Sequence, residues 1–286
     1  MANELYTLIT GASDGFGKAL ALECASRKMN VILVSLPGTG LDHLACLIER
    51  EFEVKAVYFE YDLTINENYA RLFESIEQSS LRVNILINNA GIGGTHFFIE
   101  KDIEFYRRQI ELNVMAPTLL THLFIQHLTG HSYKGDSHIL NVSSLASFFT
   151  LPRKQVYGGT KSYLLAFSKS LRRELRHKKI YVSTICPGGM NTIAVQIMLN
   201  RTGGPMNRWS AMDPEDVASI AIDQMLQKKA VIIPGNLNRL ALVLDRILPG
   251  FIKSMITAQL MKKLQPVTLR SPVVAVRPSV APALST

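Results

Sequence analysis

The chain has 286 residues, 47% of them hydrophobic and 19% charged, which suits one large globular domain and excludes a disordered or fibrous protein. A formal net charge of +8 suits an anionic small molecule, and no nucleic-acid motif accompanies it. Cys24, Cys46 and Cys186 are far apart, odd in number and without metal-type spacing, so a reducing, cytoplasmic setting is expected and a disulfide framework is not.

The N-terminal "MANELYTLIT" runs straight into an apolar segment without a basic leader, and no signal peptide or spanning helix is expected. In chain order, β-branched apolar runs then alternate with helical periodicity. Strands are expected at 5–10, 30–35, 54–60, 83–88, 137–144, 180–186 and 230–234. Helices are expected at 16–28, 40–52, 66–79, 102–128, 155–177 and 214–227, the last opening on Asp213 as N-cap before Pro214. The strands are almost continuously apolar, as strands covered on both faces are. Seven such alternations predict an α/β fold: a doubly wound, parallel, seven-stranded sheet with its ligand crevice at the carboxyl ends of the strands.

This domain is assigned to residues 1–236. Residues 237–265 read as a C-terminal amphipathic helical extension around Pro249, packed on the domain, over the crevice or against a membrane surface. Residues 266–286, proline-rich and without helical period, are expected to be a mobile tail.

The first strand-to-helix junction, "LITGASDGFGKALALECA", carries Gly11, Gly15 and Gly17. Glycines there let the backbone turn tightly and approach a pyrophosphate, while the helix start offers free N–H groups. Ser13 adds a hydroxyl, and Phe16 belongs to the same phosphate-binding turn. The second strand ends on Ser35 and Leu36, with neither an acid for ribose hydroxyls nor an arginine for a 2′-phosphate. With nothing acidic at that edge, Ser35 and the "PGTG" backbone favour NADP over NAD, against a smaller opposing pull from Asp14. Asp62 and Leu63 follow the third strand, where Asp62 can accept from an adenine amino group or simply close a turn. Asn88, Asn89, Ala90 and Gly91 follow the fourth, where they can hold the crevice open or form a plain turn.

In "QVYGGTKSY" Tyr157 and Lys161 stand four apart on one helix face. A free tyrosine has a pKa near 10, and bringing it down by about three units takes roughly 4 kcal/mol of differential stabilisation. The ammonium of Lys161 is the expected source, and Gly158 and Gly159 leave room beside the ring.

Taken together, Gly11-x-x-x-Gly15-x-Gly17, Asp62, Asn88-Asn89-Ala90-Gly91, Asn113, Ser144, Tyr157-x-x-x-Lys161 and Pro187-Gly188 resemble the short-chain dehydrogenase/reductase family over residues 5 to 235. The resemblance implies a Rossmann-type fold and an NAD(P)-dependent oxidoreductase that moves a hydride between nicotinamide and a ketone or secondary alcohol. It makes Tyr157 the acid/base, with Lys161 also bonded to the nicotinamide ribose. Ser144, rather than its neighbour Ser143, polarises the carbonyl, and Asn113 supports a proton relay from a helix kink. Pro187, Gly188 and Thr192 are the implied nicotinamide segment, while Asn89, Ala90 and Gly91 join the cofactor set. It further implies a homodimer or homotetramer through helices 102–128 and 155–177. A non-catalytic dinucleotide-binding regulator is the alternative, which the complete Ser144, Tyr157 and Lys161 set disfavours.

Phe97, Phe98, Phe148, Phe149, Leu151 and the segment 193–212, with the only tryptophan at Trp209, point to a hydrophobic carbonyl substrate. His127 and His131 lack an evident third ligand, so no metal is expected. The basic run Arg172, Arg173, Arg176, Lys178 and Lys179 reads as solvated surface, and the glycosylation-type triplets at Asn141 and Asn200 as chance.

Overall fold

A computed structural model describes residues 4–131, 135–190 and 211–250. Thr192 and residues 193–210 of the apolar segment lie outside them, as do residues 251–286 of the extension and tail. The seven strands are β1 (Leu5–Thr10), β2 (Asn30–Ser35), β3 (Ala56–Glu60), β4 (Arg82–Asn88), β5 (Ser137–Val142), β6 (Ile180–Ile185) and β7 (Val231–Ile232). They form one sheet in the order β3-β2-β1-β4-β5-β6-β7, every pairing parallel. The order reverses between β1 and β4, and this is where a crevice opens at the strands' carboxyl ends.

Helices cover both faces: α1 (Gly15–Ser26), α2 (Leu41–Phe52), α3 (Glu67–Gln78), α4 (Ile103–Ile110), α5 (Ala116–Gly130), α6 (Gln155–Leu175), α7 (Pro214–Leu226) and α8 (Asn236–Ile247). Alternate strand residues point to opposite faces, so the sheet divides its apolar side chains between two cores. Ile9, Val31, Leu33, Ile85, Ile87 and Ile185 pack with residues of α1, α2 and α7. Leu8, Ile32, Val34, Leu86, Ile139 and Val182 pack instead with residues of α3 and α5.

Three expected elements differ. The helix of 102–128 is broken: α4 ends at Ile110, a π-helical turn spans Glu111–Met115, and α5 begins at Ala116. Pro117, in the first turn of α5, has no N–H to give the carbonyl of Asn113 four residues back, so a regular ladder cannot pass. The strand of 137–144 stops at Val142, leaving Ser144 as the extended cap of the short 3-10 helix Leu145–Phe148. The last strand shrinks to two residues, ahead of Pro234 and of Gly235 at φ +84°. Nor is Arg172 solvated surface. Its guanidinium donates to the carbonyls of Val182 (2.8 Å) and Lys228, joining α6 to β6 and to the turn before β7.

The chain through Leu248 is one compact unit, and it includes α8. Asn238 and Leu242 of α8 are buried, whereas Leu237, Leu240, Val243, Leu244 and Ile247 are exposed. No helix among the described residues is long and apolar enough to cross a membrane.

Candidate active site

The turn after β1 is built for close backbone approach. Gly11 has φ +65°, and a Cβ on it would stand 2.9 Å from Ala90 Cα. A Cβ on Gly17 would stand 1.8 Å from the Gly11 carbonyl oxygen, so no larger residue fits the present backbone. Asn89 locks this turn to β4's end: its Nδ2 donates to the carbonyls of Thr10 (2.9 Å) and Gly11 (3.1 Å). The Thr10 hydroxyl oxygen accepts from the N–H groups of Asn89 (3.0 Å) and Ala90 (3.1 Å). Thr10 was missed in the sequence because a threonine ending a strand is ordinary; only the pairing of β1 with β4 reveals its use.

Around the turn, Ser13 and Ser35 meet hydroxyl to hydroxyl at 2.8 Å, so one donates to the other and the pair keeps one O–H to offer an anion. Phe16 is buried in the core, which leaves its backbone alone to serve an anion. Asp14 caps α1 and accepts from the Gly15 N–H at 2.7 Å, so it competes for a donor that a phosphate would use. The expectation of no acid at the edge of β2 fails. Parallel register places Glu60 beside Ser35, and the Glu60 carboxylate accepts from Gly38 N–H at 2.8 Å. Asp62 closes a turn with one oxygen, which accepts from Thr64 N–H and hydroxyl (2.9 and 2.8 Å). Leu63 is buried, and its carbonyl accepts from the Tyr69 hydroxyl.

Across the switch point, a buried polar set gathers at the head of α6. Asn88 donates to Asn141 Oδ1 (2.8 Å) and to the Thr121 hydroxyl oxygen (3.1 Å), which ties β4 to β5 and α5. Lys161 is 5% exposed, and its Nζ donates to the Val142 carbonyl at 2.8 Å. Asn113 sits inside the π turn, accepting from Ile92 N–H (2.8 Å) and donating to the Thr160 hydroxyl oxygen (3.1 Å). Gly91 completes the convergence: a Cβ there would lie 3.0 Å from Asn113 Oδ1 and 3.4 Å from Lys161 Nζ. Ser143 and Ser144 divide their work. The buried Ser143 hydroxyl donates to the Lys161 carbonyl at 2.9 Å, while Ser144 is hydrogen-bonded to Tyr157. Pro187 accepts from Leu145 N–H at 2.9 Å, and Gly188 lies under Asn238 of α8, 2.8 Å from where its own Cβ would be.

The electrostatics here differ from expectation. Burial pushes the Tyr157 phenol above its ordinary value, and the Ser144 hydrogen bond pulls it back in part. Lys161 Nζ lies 5.9 Å from the Tyr157 ring centroid and does not figure among the causes. Burial instead lowers the Lys161 ammonium itself to about 8. Desolvation disfavours both charged forms, so the protein alone presents a neutral phenol beside an easily discharged lysine.

The structure does bring a third group, Glu77, to His127 and His131, with candidate ligand atoms within 4.8 Å of one another. His127 Nε2 accepts from Val83 N–H at 3.0 Å, so its ring proton is on Nδ1, directed at Glu77 at 2.5 Å. That nitrogen is a donor to Glu77 and has no lone pair for a metal.

A family model described as short chain dehydrogenase matches residues 6–201. Human 17-beta-hydroxysteroid dehydrogenase type 3 is 31% identical over 191 residues, 65% of this chain and 59% of that protein. The very-long-chain 3-oxoacyl-CoA reductase of Macaca fascicularis is 30% identical over 186 residues, 64% of this chain and 58% of that protein. The chain thus spans under two thirds of the length of these curated relatives. A short-chain dehydrogenase from Sphingobium yanoikuyae, solved in complex with NADPH, superposes with a TM-score of 0.72 at 26% identity, covering 94% of this chain and 98% of that one.

Proposed function

Since the chain belongs to the short-chain dehydrogenase family, we propose that it is an NAD(P)-dependent oxidoreductase that reduces a hydrophobic carbonyl compound, with Tyr157 as its acid. One observation carries this reading: Ser144, Tyr157, Lys161 and Asn113 converge at the carboxyl edge of the sheet, across the switch point from the glycine turn. The cradle fits a dinucleotide, because side chains are absent where the backbone of Gly11 and Gly17 must come close and α1 begins beside them. Such a cofactor supplies the hydride.

The chain's own residues handle the oxygen. Ser144 donates a hydrogen bond to the carbonyl oxygen and holds the growing negative charge, a preorganised donor in a half-buried site. Tyr157 gives that oxygen its proton, and the neutral phenol favoured by burial is the form a reduction needs. Lys161, held by the Val142 carbonyl, then stabilises the phenolate left behind. The Asn113 carbonyl, denied the N–H of residue 117 by Pro117, is placed to accept a hydrogen bond from a water that relays a proton toward Lys161. The Ser13–Ser35 pair supports a 2′-phosphate and hence NADP, while Glu60 and Asp14 oppose it. The names of the two relatives, which act on a steroid and an acyl-CoA, support an apolar carbonyl substrate. A homo-oligomer through α5 and α6 suits the exposed Met115 and Tyr163, the latter stacked on Phe167 at 5.8 Å.

Tyr157→Phe tests the assignment. NADPH-dependent reduction of apolar ketones should fall at least about a hundredfold, while calorimetric affinity for NADPH stays within about threefold. Equal turnover by the variant would remove Tyr157 from the reaction.

A further inference from the structure

Lys154 stands beside Tyr157 with Arg153 next to it in the chain, and among the described residues no acid pairs with either. Lys154 immediately precedes α6, and its Nζ lies 5.3 Å from the centroid of the Tyr157 ring. Arg153, next to it, lays its guanidinium 4.7 Å from the centroid of Phe97, on the segment that follows β4. Among the described residues neither side chain has an ion pair, and Arg153 Nε is buried without a hydrogen-bond partner. Glu100, on the facing segment, turns a carboxylate oxygen to the Phe97 N–H at 2.8 Å instead. Cation–π contact holds an ammonium or guanidinium in place, but it consumes none of the N–H donors.

The backbone holds these groups at some expense of its own. Arg153 has φ +65°, a region unfavourable to any residue but glycine, and its carbonyl accepts from His96 N–H at 3.0 Å. That bond ties the loop before α6 to the segment after β4, on the Tyr157 side of the crevice: a Cβ on Gly93 would stand 3.9 Å from Tyr157 Cε2. Burial also lowers the Lys154 ammonium below its ordinary value, so an arriving anion would meet a poorly solvated cation.

We propose that Arg153 and Lys154 form an anion subsite, and that the substrate is an oxo acid whose carboxylate lies within two or three bonds of the carbonyl. Lys154 Nζ, 5.3 Å from the centroid of the ring whose hydroxyl meets the carbonyl oxygen, would hold a carboxylate near the reacting carbon. Arg153 offers a planar fork that matches the two carboxylate oxygens. The rest of the substrate, an alkyl chain, is left to the apolar part of the crevice. This inference rests on Tyr157 facing the reacting carbonyl.

Two measurements with 3-oxooctanoate and its methyl ester test it. In the first, the oxo acid is titrated calorimetrically into protein saturated with NADP⁺, where no reduction can occur. Wild type should bind the acid at least tenfold tighter than the ester, Lys154→Met and Arg153→Ala should erase most of that preference, and Lys154→Arg should restore part of it. In the second, the ratio of kcat/KM for acid over ester, with NADPH, should fall at least tenfold in the same variants, their folding checked by circular dichroism. Equal binding of acid and ester by wild type, or a preference that survives both substitutions, overturns the subsite. Acid that binds through Arg153 and Lys154 yet is never reduced would sustain the subsite and overturn the oxidoreductase reading.

Discussion

The turn after β1 and the cluster at the head of α6 face each other across the switch point, and they are made in opposite ways. The turn works by leaving side chains out, so that Gly11, Gly17, Asn89 and Ala90 pack backbone to backbone. The cluster works by putting polar side chains where solvent cannot reach, with Lys161 and Asn113 both nearly inaccessible. The first arrangement stabilises the fold and the second weakens it. Functional sites commonly carry such strain, offset by the packing around them.

Substitutions with opposite signs sharpen that contrast. Gly17→Ala, the smallest change possible, puts a methyl group 1.8 Å from the Gly11 carbonyl oxygen. It should lower stability by about 3 kcal/mol or more, read by urea denaturation, and abolish dinucleotide binding. A stable Gly17→Ala protein that still binds would break the account of the turn.

Lys161→Met should abolish turnover yet raise stability near neutral pH by about 1–2 kcal/mol, the relief from a buried charge exceeding the lost bond to Val142. The pH dependence has a definite sign. The folded-state pKa of Lys161, about 8, lies below its ordinary 10.5, so between these values the unfolded chain binds more protons. The wild-type protein therefore recovers stability as pH rises from about 8 to 10.5, and the advantage of Lys161→Met should fade over that window. Thermal denaturation of both proteins at pH 6.5 and pH 10 reads it, and an advantage that grows with pH would contradict the assignment.

The smallest effect is expected at the cofactor's far end. Glu60→Gln removes a negative charge beside Ser35 while keeping an acceptor for Gly38 N–H, and should raise affinity for NADPH relative to NADH about threefold. Parallel titrations measure the ratio, and an unchanged value would mean that the 2′-position of a bound ribose lies away from Glu60.

The same contrast decides what the sequence made legible. Strand-to-helix turns favour glycine in general, and it is the place of these three at the first such junction that makes the turn legible. Tyr157 and Lys161 stand out as a pair by residue type and spacing, Ser144 only through the resemblance to the family, and the seven strands by their apolar runs. What escaped depends on which distant segments become neighbours. Glu60 is 25 residues from Ser35 in the chain and beside it only through the β2–β3 register. Glu77 reaches His127 from a different helix, and Arg172 finds its acceptors on β6 and at Lys228. The π turn at Glu111–Met115 bears out the helix kink that the family resemblance implies at Asn113, whereas apolar periodicity continues through it and shows no break. The balance of charge around Tyr157 is set by burial, which residue types alone do not reveal.

The central claim is hydride delivery to a carbonyl carbon at Tyr157, and isotope transfer tests it most directly. Wild-type protein, NADPH bearing deuterium at both C4 positions and an apolar oxo compound should yield an alcohol with one deuterium on the carbinol carbon, detected by mass spectrometry. Tyr157→Phe should form at least about a hundredfold less labelled alcohol in the same time. A wild-type protein that binds NADPH yet yields no labelled alcohol across oxo acids and ketones would contradict the account.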